Sequence, residues 1–115
     1  MTFRLAAIVL FGATFGSLSP AAAASFDCDK ADLAPDEKVI CDTRALNDAD
    51  VKMATTFDIL TTLLPMGNRD QLKEEQSAWL KKRQDCGPDT ACLAAAYEER
   101  MKQLTEAYAG LSRPL

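Results

Sequence analysis

The chain has 115 residues, with 13 Lys or Arg against 17 Asp or Glu, for a formal charge of −4. It contains no histidine, which removes the commonest general base, the imidazole partner of Ser and Cys nucleophiles, and the commonest metal ligand. The acidic balance speaks against nucleic acid, whose phosphates demand Lys and Arg clusters, and against anionic membrane surfaces; it favours cationic partners.

Met1–Arg4 carries one positive charge, Leu5–Leu18 is an apolar run broken only by Gly, Thr and Ser, and Pro20 precedes the small residues Ala21–Ala24. This is the three-part pattern of a secretory signal peptide over residues 1–24, with cleavage expected between Ala24 and Ser25. The apolar run, roughly 14 residues, falls short of the ~20 a spanning helix needs, which weighs against the competing reading of an uncleaved anchor. Cys28 follows Ser25-Phe26-Asp27 and lacks a lipobox-like setting, so no lipid anchor is expected. Residues 25–115 then form one domain, periplasmic or secreted, with no membrane anchoring after cleavage. Loss of Arg4 makes it one unit more acidic. A domain of this size buries only about two-thirds of its unfolded surface, so covalent reinforcement has a clear use.

Ser25–Asp32 reads as an irregular arm. Pro35-Asp36-Glu37 reads as a helix start, because Pro suits the first helical position and acids complement the positive helix end. That short helix runs to about Asp42, and Asp42-Thr43-Arg44 allows a break. Leu46, Ala49, Met53, Phe57, Leu60 and Leu64 recur at steps of three and four, the signature of an amphipathic helix. Pro65-Met66-Gly67 ends it. Asn68 then reads as an N-cap, with Gln71 completing a capping-box pattern. Leu72, Gln76, Trp79, Arg83 and Cys86 mark the next helix, which Gly87-Pro88 breaks. Asp89 can cap the last helix, whose inner face is expected to be Leu93, Tyr97, Met101, Leu104 and Tyr108, with Gly110 and Pro114 stopping it. No segment alternates as a strand. With connections of about three to five residues, the expected fold is a small all-α bundle: a short leading helix plus three longer antiparallel ones.

Four cysteines in a small exported chain normally form two disulfides. There is no C-x-x-C, so zinc knuckles and thioredoxin-like redox chemistry have no motif. Three connectivities exist, and sequence alone does not choose among them. Geometry prefers Cys86–Cys92, which would pin the turn between two helices, and Cys28–Cys41, which would fold the arm back along the short helix.

Gln76 and Arg83 stand where the helical pattern predicts burial. A buried Arg needs an acceptor. Asp50 on the antiparallel neighbour is one candidate, and uncapped carbonyls at a helix end are another. Gln76 and Asp50 are thus read as structural polar residues, and Arg83 with them as a pair fixing helix register. The competing reading makes Trp79, Lys81, Lys82 and Arg83 a partner-binding patch, since Trp and Arg are enriched in hot spots. Glu74-Glu75 and Glu98-Glu99 are adjacent along their helices and point to different faces, so they make no paired-carboxylate site. No nucleophile–base set, cofactor motif or metal constellation can be assembled, and the chain is not expected to be an enzyme.

Phe26-Asp27-Cys28, Ile40-Cys41, Leu46 and Asp50, then Gln76-x-x-Trp79-Leu80-x-x-Arg83-x-x-Cys86, Cys92-Leu93, Tyr97, Arg100 and Leu104, form a recognisable pattern. It resembles the lysozyme inhibitor LprI-like N-terminal domain family of small exported bacterial proteins, over Phe26 to about Leu104. The resemblance implies a helical, disulfide-bonded extracytoplasmic domain and, more loosely, inhibition of lysozyme by binding. Animal-type lysozymes are cationic, and an acidic inhibitor would be steered to their exterior. A group entering their carboxylate-bearing cleft should donate hydrogen bonds or carry positive charge. The Cys86–Cys92 loop carries Asp89, which suits a helix cap better than such a cleft, whereas Lys81, Lys82 and Arg83 are nearby donors. The expected partner is a protein, lysozyme or another cationic one. The alternative is an envelope interaction or stability module that binds another periplasmic protein without inhibiting lysozyme.

Overall fold

The computed structural model describes residues 24–111; the leader assigned to residues 1–24 lies, Ala24 apart, outside them, as does Pro114. In chain order the elements are α1 (Pro35–Asp42), α2 (Arg44–Leu63), α3 (Met66–Asp85) and α4 (Thr90–Leu111), with no strand among the described residues. This is the small all-α bundle with a short leading helix. Contacts at Met53–Gln76 and Asp50–Arg83 show that α2 and α3 run antiparallel. Trp79–Ala96 and Gln76–Arg100 show the same for α3 and α4. The long helices therefore run up, down, up.

The apolar periodicity of each helix meets in one core: Ile40 from α1, Leu46, Met53 and Leu60 from α2, Leu64 just beyond it, Leu72 and Trp79 from α3, and Leu93, Tyr97 and Leu104 from α4. Phe26 from the arm packs on its edge. Pro35 opens α1, and the Ala34 N–H donates to Glu37 Oε2 at 3.0 Å, half of a capping box with no side-chain acceptor at the cap itself. Thr43 alone separates α1 from α2. Its extended backbone (φ −112°, ψ 105°) ends one helix and begins the next: its N–H donates to Val39 O, and its carbonyl accepts from Asn47 N.

Three local expectations need correction. Helix α3 begins at Met66, so Asn68 lies within its first turn and caps nothing. Pro65, with φ −58°, takes the N-cap position, and its carbonyl accepts from Arg69 N at 2.8 Å. The proline's fixed φ launches the helix at once, because the first amides of a helix lack intrahelical partners wherever it starts. Gln71 instead donates to Glu75 one turn on. The connections are also shorter than expected in two of three places, with Thr43 alone in one and Leu64-Pro65 in the other. On α4 the buried row runs Leu93, Ala96, Tyr97, Arg100, Leu104 and then steps three to the partly buried Ala107, which leaves Met101 half-buried and turns Tyr108 to solvent.

The α3–α4 turn follows the sequence closely. Gly87 takes φ +54°, a left-handed conformation that glycine adopts without penalty. Asp89 Oδ1 accepts from both Ala91 N and Cys92 N at 3.0 Å and so caps α4.

Candidate functional site

The bundle encloses a polar network that no single helix could satisfy. Its centre is Arg83, 3% exposed, in the last turn of α3. Arg83 Nε donates to Asp36 Oδ2 at 2.9 Å, and Nη1 lies 3.6 Å from Asp50 Oδ1. Asp36 and Asp50 are themselves buried, at 1% and 0% exposure. The Tyr97 hydroxyl donates to Asp50 Oδ1 at 2.7 Å, and the Ser25 backbone N donates to Asp50 Oδ2 at 2.6 Å. The Phe26 ring covers the guanidinium, with its centroid 5.4 Å from Cζ. Burial, and then the charge and hydrogen bond of Asp50, push the Tyr97 hydroxyl well above its ordinary value; Arg83 only partly offsets this.

A second buried arginine lies further along α4. Arg100 Nε donates to Gln76 Oε1 at 2.9 Å, Nη1 donates to Gln103 Oε1 at 2.9 Å, and Glu75 Oε2 stands 3.9 Å away. Desolvation lowers its basicity below that of a free guanidinium, with Glu75 opposing. Gln76 Nε2 turns to the Met53 sulfur at 3.2 Å. Trp79 donates its indole N–H to Ala96 O at 2.9 Å and meets Tyr97 edge to face, with ring centroids 5.2 Å apart. All of these groups are spent on one another. They fix helix register.

The sequence-predicted residues are placed as follows. Gln76 and Asp50 are buried and bonded across helices. Asp50 faces Arg83 as expected, but the closer acceptor is Asp36, and Arg83 makes no hydrogen bond to helix-end carbonyls among the described residues. The four-residue patch of Trp79, Lys81, Lys82 and Arg83 does not exist as one surface. Trp79 and Arg83 point into the core, while Lys81 and Lys82 are exposed, because consecutive helical residues are turned about 100° apart. Lys82 is already paired with Glu99 of α4 at 2.6 Å. Asp36, Arg100 and the Ser25 amide were not anticipated as network members. For Arg100 the signal was present, since it stands three beyond Tyr97 and four before Leu104 on the apolar row.

Cys28–Cys41 ties the arm to α1, and Cys86–Cys92 closes the α3–α4 turn; no free cysteine remains among the described residues. Both pairings agree with the preferred connectivity, and two disulfides fit an oxidising environment. Among the described residues no group of His, Cys, Asp or Glu is arranged to hold a metal ion, and no helix is long and apolar enough to cross a membrane.

On the surface, α3 and α4 border an open groove lined by Glu75, Ala78, Lys82, Glu99, Gln103 and Glu106, with the edge of Trp79 at its floor. Three carboxylates face one lysine there. No protein-family model, no curated protein and no solved structure matches this chain.

Proposed function

We propose that this protein is an exported binding protein, periplasmic or secreted and similar to LprI-like lysozyme inhibitors, which acts by contact and breaks no bonds in its partner. The observation that carries the reading is the α3–α4 groove, where Glu75, Glu99 and Glu106 exceed Lys82 and the buried Arg100 behind Glu75 by one negative charge, on two helices joined by a disulfide. A surface of that charge attracts a cationic protein, and a stapled scaffold loses little conformational entropy on binding. The interior supports it from the other side: its buried ionisable groups are bonded across helices to other groups of the fold. The test is cell-wall lysis by animal lysozyme, followed by turbidity in the presence of purified protein. Lysis should slow, the effect should weaken as salt rises, and Glu99→Gln with Glu106→Gln should reduce it. Undiminished lysis at molar excess of the protein overturns the inhibitor reading.

A second reading, an envelope module with a different exported partner, draws on the exposed apolar side chains Ile59, Leu63 and Met66 at the end of α2 and the start of α3. Crosslinking in intact cells separates the two. An envelope protein captured by the wild type but lost with Leu63→Glu favours this second reading.

A further inference from the structure

We propose that export completes the interior of this protein: cleavage after Ala24 turns the Ser25 nitrogen into an α-ammonium that pairs with the buried Asp50. The inference rests on the export reading and is independent of the partner's identity. Its first ground is charge. The network around Arg83 encloses two carboxylates, Asp36 and Asp50, against one guanidinium. Its remaining donor on Asp50 Oδ1, the Tyr97 hydroxyl, is neutral. Among the described residues one negative charge is therefore uncompensated, a costly condition in a low-dielectric interior. The only group on Asp50 Oδ2 among the described residues is the Ser25 nitrogen, at 2.6 Å. As an amide it donates a hydrogen bond and brings no charge; as an ammonium it makes the cluster neutral.

The second ground is placement. The arm is not itself helical, yet it is fastened to the helices at three points: Ser25 on Asp50, Phe26 over Arg83, and Cys28 to Cys41. These fastenings bring to the carboxylate the same nitrogen that the leader's cleavage pattern would free. The Ser25 side is open to solvent, so the site admits either a preceding chain or a free terminus. What changes on processing is charge, not fit. The step is a hydrolysis by a leader-removing protease. The Ala24–Ser25 C–N bond breaks, hydroxide from water joins the Ala24 carbonyl to form a carboxyl group that ionises to carboxylate, and the nitrogen takes the water's remaining proton and the one the carboxyl releases to become –NH3+. The leader-bearing chain then lacks the last stabilising charge, and the fold tightens only once it has been released.

The experiment has two arms. The protein recovered from an exporting host is sequenced from its amino terminus. A start at Ser25 is expected, and any other start overturns the proposal through its export premise. Separately, three purified forms are unfolded in denaturant: one beginning at Ser25, one beginning at Ala24, and one beginning at Nα-acetylated Ser25. The free Ser25 form should show an unfolding constant about tenfold smaller than the other two, the margin of a charged over a neutral hydrogen bond. The difference should vanish in Asp50→Asn. Equal stability of the three forms overturns the ion pair whatever the cellular cleavage site. Should Asp50→Asn fail to fold, limiting acetic anhydride gives an independent readout. The Ser25 amine should react about tenfold more slowly in the folded protein than in urea, with exposed Lys81 as reference, and an unchanged relative rate overturns the pairing.

Discussion

Arg83 carries more of this fold than its place on a surface-rich helix would indicate. Two buried carboxylates depend on it, and it comes from a third helix. Arg83→Met leaves Asp36 buried without a counter-charge and takes one cationic partner from Asp50, and should lower stability by about 3–5 kcal/mol, read as a shift of the urea midpoint. Tyr97→Phe is milder. It removes one donor from Asp50 and should cost about 1–2 kcal/mol. It also has a pH signature. The folded state holds the hydroxyl above its ordinary value of 10.0, so the unfolded chain releases this proton first. The contribution is fully present below pH 10 and is lost as pH rises through the folded value. Ultraviolet titration should show a late-ionising tyrosine that Tyr97→Phe deletes. At this scale the sequence was half legible. Gln76 and Arg83 stood out because they interrupt an apolar row. Asp36 did not, because beside Pro35 it satisfies every local rule for an exposed helix start, and its partner is 47 residues away.

Helix ends were most legible where one residue type has one local use. Gly87 and Asp89 are such residues, and their roles follow from positive φ and side-chain capping. Asp89→Ala should lower stability by about 1 kcal/mol, visible as a lower thermal midpoint with the disulfide intact. The misread start of α3 has the opposite origin. Asn68 and Gln71 match a capping box, but Pro65 had already supplied a helix start three residues earlier, and a pattern cannot report which of two competent starts the tertiary fold selects. The exposed Tyr108 has a related cause, since a row built on steps of four drifts round the helix until a step of three restores it.

For the whole molecule, two disulfides, a modest apolar core and a buried polar network share the stability. Loop-closure reasoning assigns about 2 kcal/mol to the shorter bridge and about 3 to the longer, large against the roughly 5–15 kcal/mol of a typical domain. Reduction should therefore lower the urea midpoint sharply, and Cys28→Ser with Cys41→Ser should have the larger effect, because that bridge also holds the arm that covers Arg83. The Lys82–Glu99 pair, half-exposed on both sides, adds little by comparison. The hinge at Thr43 carries one more implication. Because a single amino acid joins α1 to α2, an insertion that extended α2 there would turn α1 by about 100° and swing Asp36 off its guanidinium. Tolerated growth and shrinkage of such a polypeptide should accordingly accumulate at its extremities, while the spacing from Asp36 to Asp50 stays fixed.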